Sequence, residues 1–535
     1  LPAVDVVVIG AGHNGLVAAC YLAKAGLSVE VIEADTVVGG AVSTVERFPG
    51  YRVDRGSSLH VMIRWNGIAE DLELARFGLR YLDCDPWGFL PIAGAPGGGI
   101  TFRADVDRTC ESIEVVCGPK DAAAYRGFVD DWAQRMAPMI EAFNGAATPG
   151  RLGKAMWRAG KHLTSNGMEI SRQFLSPGDS ILDETFDDER LKSALAWMGA
   201  QSGPPMSEPG TAGHLGWSAM MHRQPPGRPV GGSGALSAAL ATRLESDGGR
   251  LRLGDGAASI EVFGGSVRAV ITSSGARVPC RKVVSACHVL TTLKLVSAAL
   301  PSSFTDRARR AIRVGNGIGV PLRVATTALP AYPDAPADVH SGLGLLAPDR
   351  QILAAAYGDH LAGRPPQQPP TVVMAFSGID PSLAPPDRHL VTVWGQWYPF
   401  QLSDARNWET LRAQTTERLL ASVEAAAPGF TSTVEQTFLQ TPADLQRELG
   451  LLRGNVMHVE MSLSSMFSWR PLPELAGYRT PIDGLYLSGA STHPGGGVSG
   501  ASGRNAARIV LADDKRESRR RAGGVHLPTF GRRTR

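Results

Sequence analysis

Six consecutive residues, Gly10-Ala11-Gly12-His13-Asn14-Gly15, make a G-x-G-x-x-G, and Glu33 stands 18 residues after the last glycine. Each position has a physical task. The first glycine permits a tight turn, the second lets backbone approach a pyrophosphate, and the third lets a helix pack close on a strand. A carboxylate at Glu33 can accept hydrogen bonds from both hydroxyls of a ribose. Its charge opposes a 2′-phosphate, so NADP is disfavoured there. The chemistry implied is dinucleotide binding, and the motif alone does not separate FAD from NAD.

The flanking elements suit that task. Val4 to Ile9 is a β-branched run of the kind found in buried parallel strands. Asn14 to Lys24 has helical composition and is followed by Gly26, a residue suited to close a helix. Ser28 to Ile32 reads as a second strand that delivers Glu33 at its end. A helix that starts beside the glycines offers free N–H groups and the positive end of its dipole to a phosphate.

Three further glycine clusters follow. Gly39-Gly40 comes soon after Glu33, and Asp54-Arg55-Gly56 closes the strand-like Tyr51 to Val53. Pro229-Val230-Gly231-Gly232-Ser233-Gly234-Ala235-Leu236 precedes a predicted helix to Leu244, then four strand-like stretches at 250–253, 257–263, 266–272 and 277–284. Near the end, the strand-like Gly484 to Ser488 feeds Gly489-Ala490-Ser491-Thr492-His493-Pro494-Gly495-Gly496-Gly497-Val498-Ser499-Gly500, with a helix predicted over Ala501–Leu511.

On these motifs the chain resembles the FAD-dependent phytoene desaturase and amine oxidase superfamily. The P-x-G-G-x-G-x-L block and the C-terminal N-V-M-H-V-E-M-S-L, S-W-R-P and S-G-A-S-T-H-P-G-G-G-V-S-G stretches are similar to the phytoene-dehydrogenase-like branch. The nearest likeness within it is the pyridine nucleotide-disulphide oxidoreductase domain-containing protein 2-like group. The resemblance spans about Val4 to Leu511. It implies FAD as cofactor, held by Gly10, Ala11, Gly12, Asn14, Gly15, Glu33, Ala34, Gly39 and Gly40. It also implies a backbone clamp on adenine at Ala257, and contacts from Gly489, Gly497 and Val498 to the ribityl and pyrophosphate groups. Members often carry an acid after the first glycine of the last block, where this chain has Ala490. Disulfide reduction is not expected. No C-x-x-C or C-x₄-C is present, and the Gly231 block lacks the setting of a second nucleotide fingerprint. Electrons are expected to leave the flavin for oxygen, a quinone or another carrier, with no tightly bound NAD(P).

Cofactor blocks at the start, middle and end imply an α/β fold with a discontinuous Rossmann-like FAD-binding domain. A mixed α+β substrate domain is interleaved with it. The expected division assigns 1–84, 226–291 and 451–512 to the FAD domain, 85–225 and 292–450 to the substrate domain, and 513–535 to a disordered basic tail. Strands are expected at Leu322–Thr327, Thr371–Phe376 and His389–Trp397, with a helix from Trp408 to about 425, building a sheet over the flavin.

Hydride transfer needs orientation in a dry pocket, and a desaturation also needs somewhere for a proton to go. His493, His60 and Glu460 are the catalytic candidates on that ground, and His458 lies beside Glu460 just upstream of the last strand pair. Each has a competing reading as a hydrogen-bonded packing residue. Arg470 could anchor an acidic substrate or pair a carboxylate. Trp394, Trp397 and Tyr398 read either as sheet core or as lining of an apolar cavity. Arg151 to Leu163 has apolar residues at helical spacing and a separate basic face, so it reads as a solvated surface helix or as one that dips into a membrane.

Composition narrows the partners. The net charge of +3 conceals a +7 stretch over Lys515–Arg535 and a body of −4, so nothing in it argues for a nucleic-acid-binding body, and no nucleic-acid partner is expected. Six scattered cysteines fit a reducing compartment and no metal site. With no signal peptide and no spanning helix expected, the location implied is cytoplasmic, or peripheral to a membrane. The activity expected is hydride removal from a C–C or related bond of a small apolar molecule. A flavin amine oxidase and a non-catalytic escort protein on the same fold are the alternatives.

Overall fold

The computed structural model describes residues 3–146, 150, 153–154, 167–347, 349–404 and 406–522. The expected helix over Arg151–Leu163 lies almost wholly outside the described residues, as does the last part of the basic tail.

Val4–Ile9 forms the centre of a parallel sheet, as its β-branched run dictates. On one side it pairs with Val29–Ile32, and that strand pairs with Arg250–Arg252. On the other it pairs with the C-terminal half of Arg277–Ser285, which in turn pairs with Leu485–Leu487. The N-terminal half of Arg277–Ser285 continues into an antiparallel arm with Ser266–Thr272 and Ala257–Phe263. Alternation sends Val6 and Val8 to one core, beneath the helices His13–Lys24, Gly234–Ser246 and Ala501–Ala522. Val7 and Ile9 go to the other, under Val289–Leu295 and Ser302–Ala311. Both faces are thus covered, as a parallel sheet requires.

A second, seven-stranded sheet runs in the order Val434–Leu439, Gly319–Thr326, His389–Gln396, Thr371–Met374, Leu343–Leu346, Gly88–Pro91, Gly99–Phe102. Its pairings are antiparallel except that between Leu343–Leu346 and Gly88–Pro91. Helix Trp408–Ala426 covers one face. Helices Pro119–Asn144, Glu189–Ala200 and Ala212–Met221 pack against the other. The architecture is therefore α/β with a mixed second layer, as the motifs implied.

Two expected boundaries move. The cut at 291/292 falls inside helix Val289–Leu295. Val296, Leu300, Ala308 and Ile312 also lie in the core of the first sheet, so the second sheet begins only at Gly319. The cut at 512/513 falls inside helix Ala501–Ala522, whose later turns are tied to the body rather than disordered. Asp513 pairs with Arg479 at 2.8 Å, and Asp514 pairs with the buried Lys282 at 2.8 Å. All six cysteines are free thiols. Among the described residues, no helix is long and apolar enough to cross a membrane.

Candidate functional site

The glycine turn is built as its sequence requires. Gly10 has φ +97°, and its N–H donates to the Ile32 carbonyl at 2.8 Å. A Cβ on Gly15 would run into the Gly10 carbonyl, so only glycine allows the helix to sit this close to the strand. Gly39 crosses beside this turn, its N–H donating to the Ala11 carbonyl at 2.8 Å. Glu33 reaches back to the same turn. One carboxylate oxygen accepts from the Ala11 N–H at 2.6 Å and the other from the Asp35 N–H at 2.9 Å.

These elements open onto a cleft of about 1420 Å³ between the two sheets. Gly10, Gly12, Asn14, Gly15, Glu33, Ala34, Gly39, Gly40, Ala257, Gly489, Gly497 and Val498 all lie on its wall. Ala11 does not. It is buried behind the turn, where its N–H holds Glu33. The donor set fits a dinucleotide: first-turn helix N–H groups, an acid at the second strand's end, and bare glycine backbone facing the cleft. Asn14 Oδ1 is buried with no partner among the described residues, an acceptor that a ligand donor would satisfy.

Behind the wall, Asp54 and Arg228 form a buried ion pair at 2.8 Å. Burial pushes the Asp54 carboxyl up, but Arg228, Thr44 and the Ser233 N–H together hold it below its ordinary value. Since Thr44, Asp54, Arg228 and Ser233 come from distant segments, this pair knits the glycine block at 229–236 to the first part of the chain.

Over the far end of the cleft, the wall changes character. Met198, Trp217, Met221, Met374, Trp394 and Met466 line it, with Leu343 and Val372 from the second sheet. Trp217 stacks on Trp65 at 5.8 Å and tilts against Phe143 at 5.7 Å. Such a methionine- and tryptophan-rich wall is apolar and adaptable in shape. Trp394 thus lines the cavity. Trp397 and Tyr398 are instead sheet core, with Trp397 Nε1 donating to the Gly203 carbonyl at 2.6 Å.

None of the three catalytic candidates lies on this wall. His60 is buried between Tyr81 and Ser233, 2.8 Å from each hydroxyl, and burial pulls its imidazole down to about 3. Both ring nitrogens are therefore spent on packing. His493 stacks on Phe143 with centroids 5.7 Å apart and planes 8° apart, and its Nε2 lies 3.1 Å from the Ala142 carbonyl. Glu460 opens onto a separate surface groove and pairs there with Arg313 at 3.3 Å. Arg470 pairs no carboxylate. It is fully buried and donates to five backbone carbonyls, those of Ala490, Met457, Val459, Glu460 and Ser465.

Other residues take their places on the cleft. His13, His288 and His458 all line it. His458 has φ +62° and sets its Nδ1 3.2 Å from Ser491 Oγ, while His288 Nε2 lies 2.9 Å from the His458 carbonyl. His13 has a local sequence signal in its position between the glycines, and His458 in its place just upstream of the last strand pair; His288 has none. A strap formed by residues 446–452 also borders the cleft. Glu448 pins it to the N-terminal part of the chain by an ion pair with Arg47, and its carbonyl accepts from Arg55 at 2.9 Å. Nothing in the spacing of 446–452 announces that role.

Comparison with known proteins agrees with this geometry. Residues 119–511 match the flavin containing amine oxidoreductase family, and residues 8–71 match the NAD(P)-binding Rossmann-like domain. The chain is 33% identical to pyridine nucleotide-disulfide oxidoreductase domain-containing protein 2 of Rattus norvegicus, over 96% of this chain and 94% of that one. It is 25% identical to a phytoene desaturase of Fusarium fujikuroi, over 92% and 86% of the two chains. Among solved structures, an oxidoreductase from Methanosarcina mazei superposes with a TM-score of 0.62 at 17% identity, covering 95% of this chain and 100% of that one. A putrescine oxidase triple mutant superposes with a TM-score of 0.58 at 16% identity, covering 96% and 99%. At those identities the structural likeness speaks for the fold alone.

Proposed function

The chain belongs to the flavin containing amine oxidoreductase family, and from that premise we propose that it removes a hydride from a C–C or related bond of an apolar substrate. It is an FAD-dependent oxidoreductase acting on a small molecule, with an electron acceptor to complete the cycle. The product would be a desaturated or isomerised molecule, and the acceptor oxygen, a quinone or another carrier.

One observation carries this reading. Among the described residues, the cavity wall supplied by 143–394 has no Asp, Glu, Lys or Arg, and it is continuous with the glycine cradle. When bound, FAD supplies the two-electron acceptor. We assign its holding to Gly10, Gly12, Asn14, Gly15, Glu33, Ala34, Gly39, Gly40, Ala257, Gly489, Gly497 and Val498, with Ala11 acting through Glu33. The chain's own part in the chemistry is orientation and exclusion of water: Trp217, Trp394 and the methionines shape a dry chamber around the reacting bond. We assign the proton-taking role to His458 on its place in the cleft wall, beside Ser491; burial holds its ring well below its ordinary value, so it is neutral there but a weak base.

The amine oxidase alternative finds less support. Among the described residues no lysine lines the cleft, and its acidic side chains lie on 33–46 and 448 rather than on the apolar wall. An ammonium would be desolvated there without a counter-ion. The test is anaerobic bleaching of the flavin by a panel of polyenes, acyl chains and amines. Bleaching by amines alone would overturn the proposal, and a preparation that neither holds nor takes up FAD would sink every enzymatic reading.

A further inference from the structure

The apolar end of the cleft is interrupted at one place. Helix Ala212–Met221 turns His214, Trp217 and Met221 toward the cavity, at the i, i+3, i+7 spacing of one helical face. His214 is 6% exposed, and its Nδ1 has no hydrogen-bond partner among the described residues. Its Cβ sits against Gly199, 3.6 Å from where a Cβ on that glycine would stand. Two residues further on, Gln201 lines the same stretch of wall with Ser202. Gln201 gives its Nε2 to the Trp197 carbonyl at 3.3 Å, and its Oε1 has no partner among the described residues.

His214 is buried with a nitrogen unspent, and Gln201 beside it is half-buried with its carbonyl unspent; unspent hydrogen-bonding capacity of this kind is costly in an apolar wall. The cost is offset when a ligand brings the missing partner. Charge decides what kind of partner. With no carboxylate on this wall, an ammonium gains nothing for its desolvation, and with no Lys or Arg the same holds for a carboxylate. Burial pulls the His214 imidazole down to about 4, so at neutral pH it has one donor nitrogen and one acceptor nitrogen.

Building on the reading of this cleft as an apolar-substrate chamber, we propose that His214 and Gln201 are specificity residues for one neutral hydrogen-bonding group, a hydroxyl or carbonyl, on an otherwise apolar substrate. The site selects an alcohol, ketone or aldehyde of lipophilic body over a hydrocarbon, an amine or a carboxylate of equal length. A group that satisfies the pair gains affinity, and one that leaves it unpaired forfeits it.

The test is equilibrium binding to the FAD-loaded protein of four matched probes, 1-dodecanol, dodecane, dodecylamine and dodecanoate, each below its aggregation limit. Calorimetry supplies the affinities, and quenching of Trp217 and Trp394 fluorescence provides the second readout. Dodecanol is expected to bind about tenfold tighter than dodecane, and both ionised probes more weakly than dodecanol. His214→Phe should abolish the alcohol's advantage while leaving dodecane within about twofold. Gln201→Leu should reduce it in part, and it carries the test if His214→Phe loses its FAD or its fold. Equal affinities for alcohol and alkane, or an advantage that survives both substitutions, would overturn the assignment and leave the chamber reading standing. If none of the four binds, the apolar-chamber reading itself falls and takes the assignment with it.

Discussion

Arg470 Nη2 lies 2.6 Å from the carbonyl oxygen of Ala490, at the end of a side chain with no exposed surface. Its guanidinium also reaches the carbonyls of Met457 at 2.7 Å and of Val459, Glu460 and Ser465 at 3.1 Å. Both the segment around Met457 and the loop after Gly489 border the cleft, so one cation fixes two of its walls. Burial pulls the guanidinium down to about 9, the cost of holding a charge by carbonyl dipoles alone.

Arg470→Met leaves those carbonyls without their donor. Stability should fall by about 3 kcal/mol or more, and FAD retention with it. Arg470→Lys, with fewer donors and no planar fork, should recover less than half of the loss. Calorimetric melting of the two variants checks this. A melting temperature unchanged in Arg470→Met would show that water takes over the role.

Glu33 is the acid we assign to a ribose diol. Glu33→Gln should weaken FAD binding by about 10–100-fold, the range for a lost charge-assisted pair, and lower stability as well, since the Ala11 or the Asp35 N–H loses its acceptor. Titration of apoprotein with FAD, followed by flavin fluorescence, gives the affinity. An unaltered dissociation constant would remove Glu33 from the site.

Glu460 faces a surface groove and His60 is spent on Tyr81 and Ser233. Glu460→Gln should therefore leave the rate of flavin reduction within about twofold, since an exposed pair contributes little. His458→Gln should slow it by about 10²-fold or more and alter its pH profile, the range for a lost general base. Stopped-flow reduction with a substrate found in the bleaching panel distinguishes the two. A large loss in Glu460→Gln would restore the assignment made from sequence.

Acid should unfold this protein early. Burial pulls the imidazoles of His60 to about 3 and of His214, His222 and His493 to about 4, against an ordinary 6.5. The unfolded chain takes up these protons first. Stability from the neutral rings is complete above pH 6.5 and drains away as pH falls from there toward 4. Asp54 is held below 3.8, so its contribution fades only at lower pH. Urea midpoints measured from pH 8 to 4.5 should drop steadily below 6.5, and a flat profile would contradict the burial of these rings.

Truncation after Ala512 removes Asp513, Asp514 and Glu517. Lys282, 3% exposed and paired with Asp514 and Glu517, would be left as a buried cation without a partner. A loss of about 1–3 kcal/mol is expected, read as a lower melting temperature. No change would return this stretch to the status of a passive tail.

Much of the frame was legible along the chain, because its causes are local. Gly10 and Gly15 are dictated by a turn and a close approach within six residues of chain, and Glu33 by the end of the next strand. The strands at 257–263 and 266–272 and the helix starting at Trp408 lie where patterning put them, since side-chain periodicity is a short-range property. What the tertiary structure alone decided is which polar side chains are free to act. His60 meets Ser233 across 173 positions, His493 meets the Ala142 carbonyl across 351, and Arg470 meets a loop 20 residues away rather than a carboxylate. The same packing leaves His214 Nδ1 without a partner and turns that side chain to an apolar wall. A residue type announces what a group can do. Only the partners that folding brings from elsewhere in the chain, and the water it takes away, determine whether that capacity is spent on the core or left for a ligand.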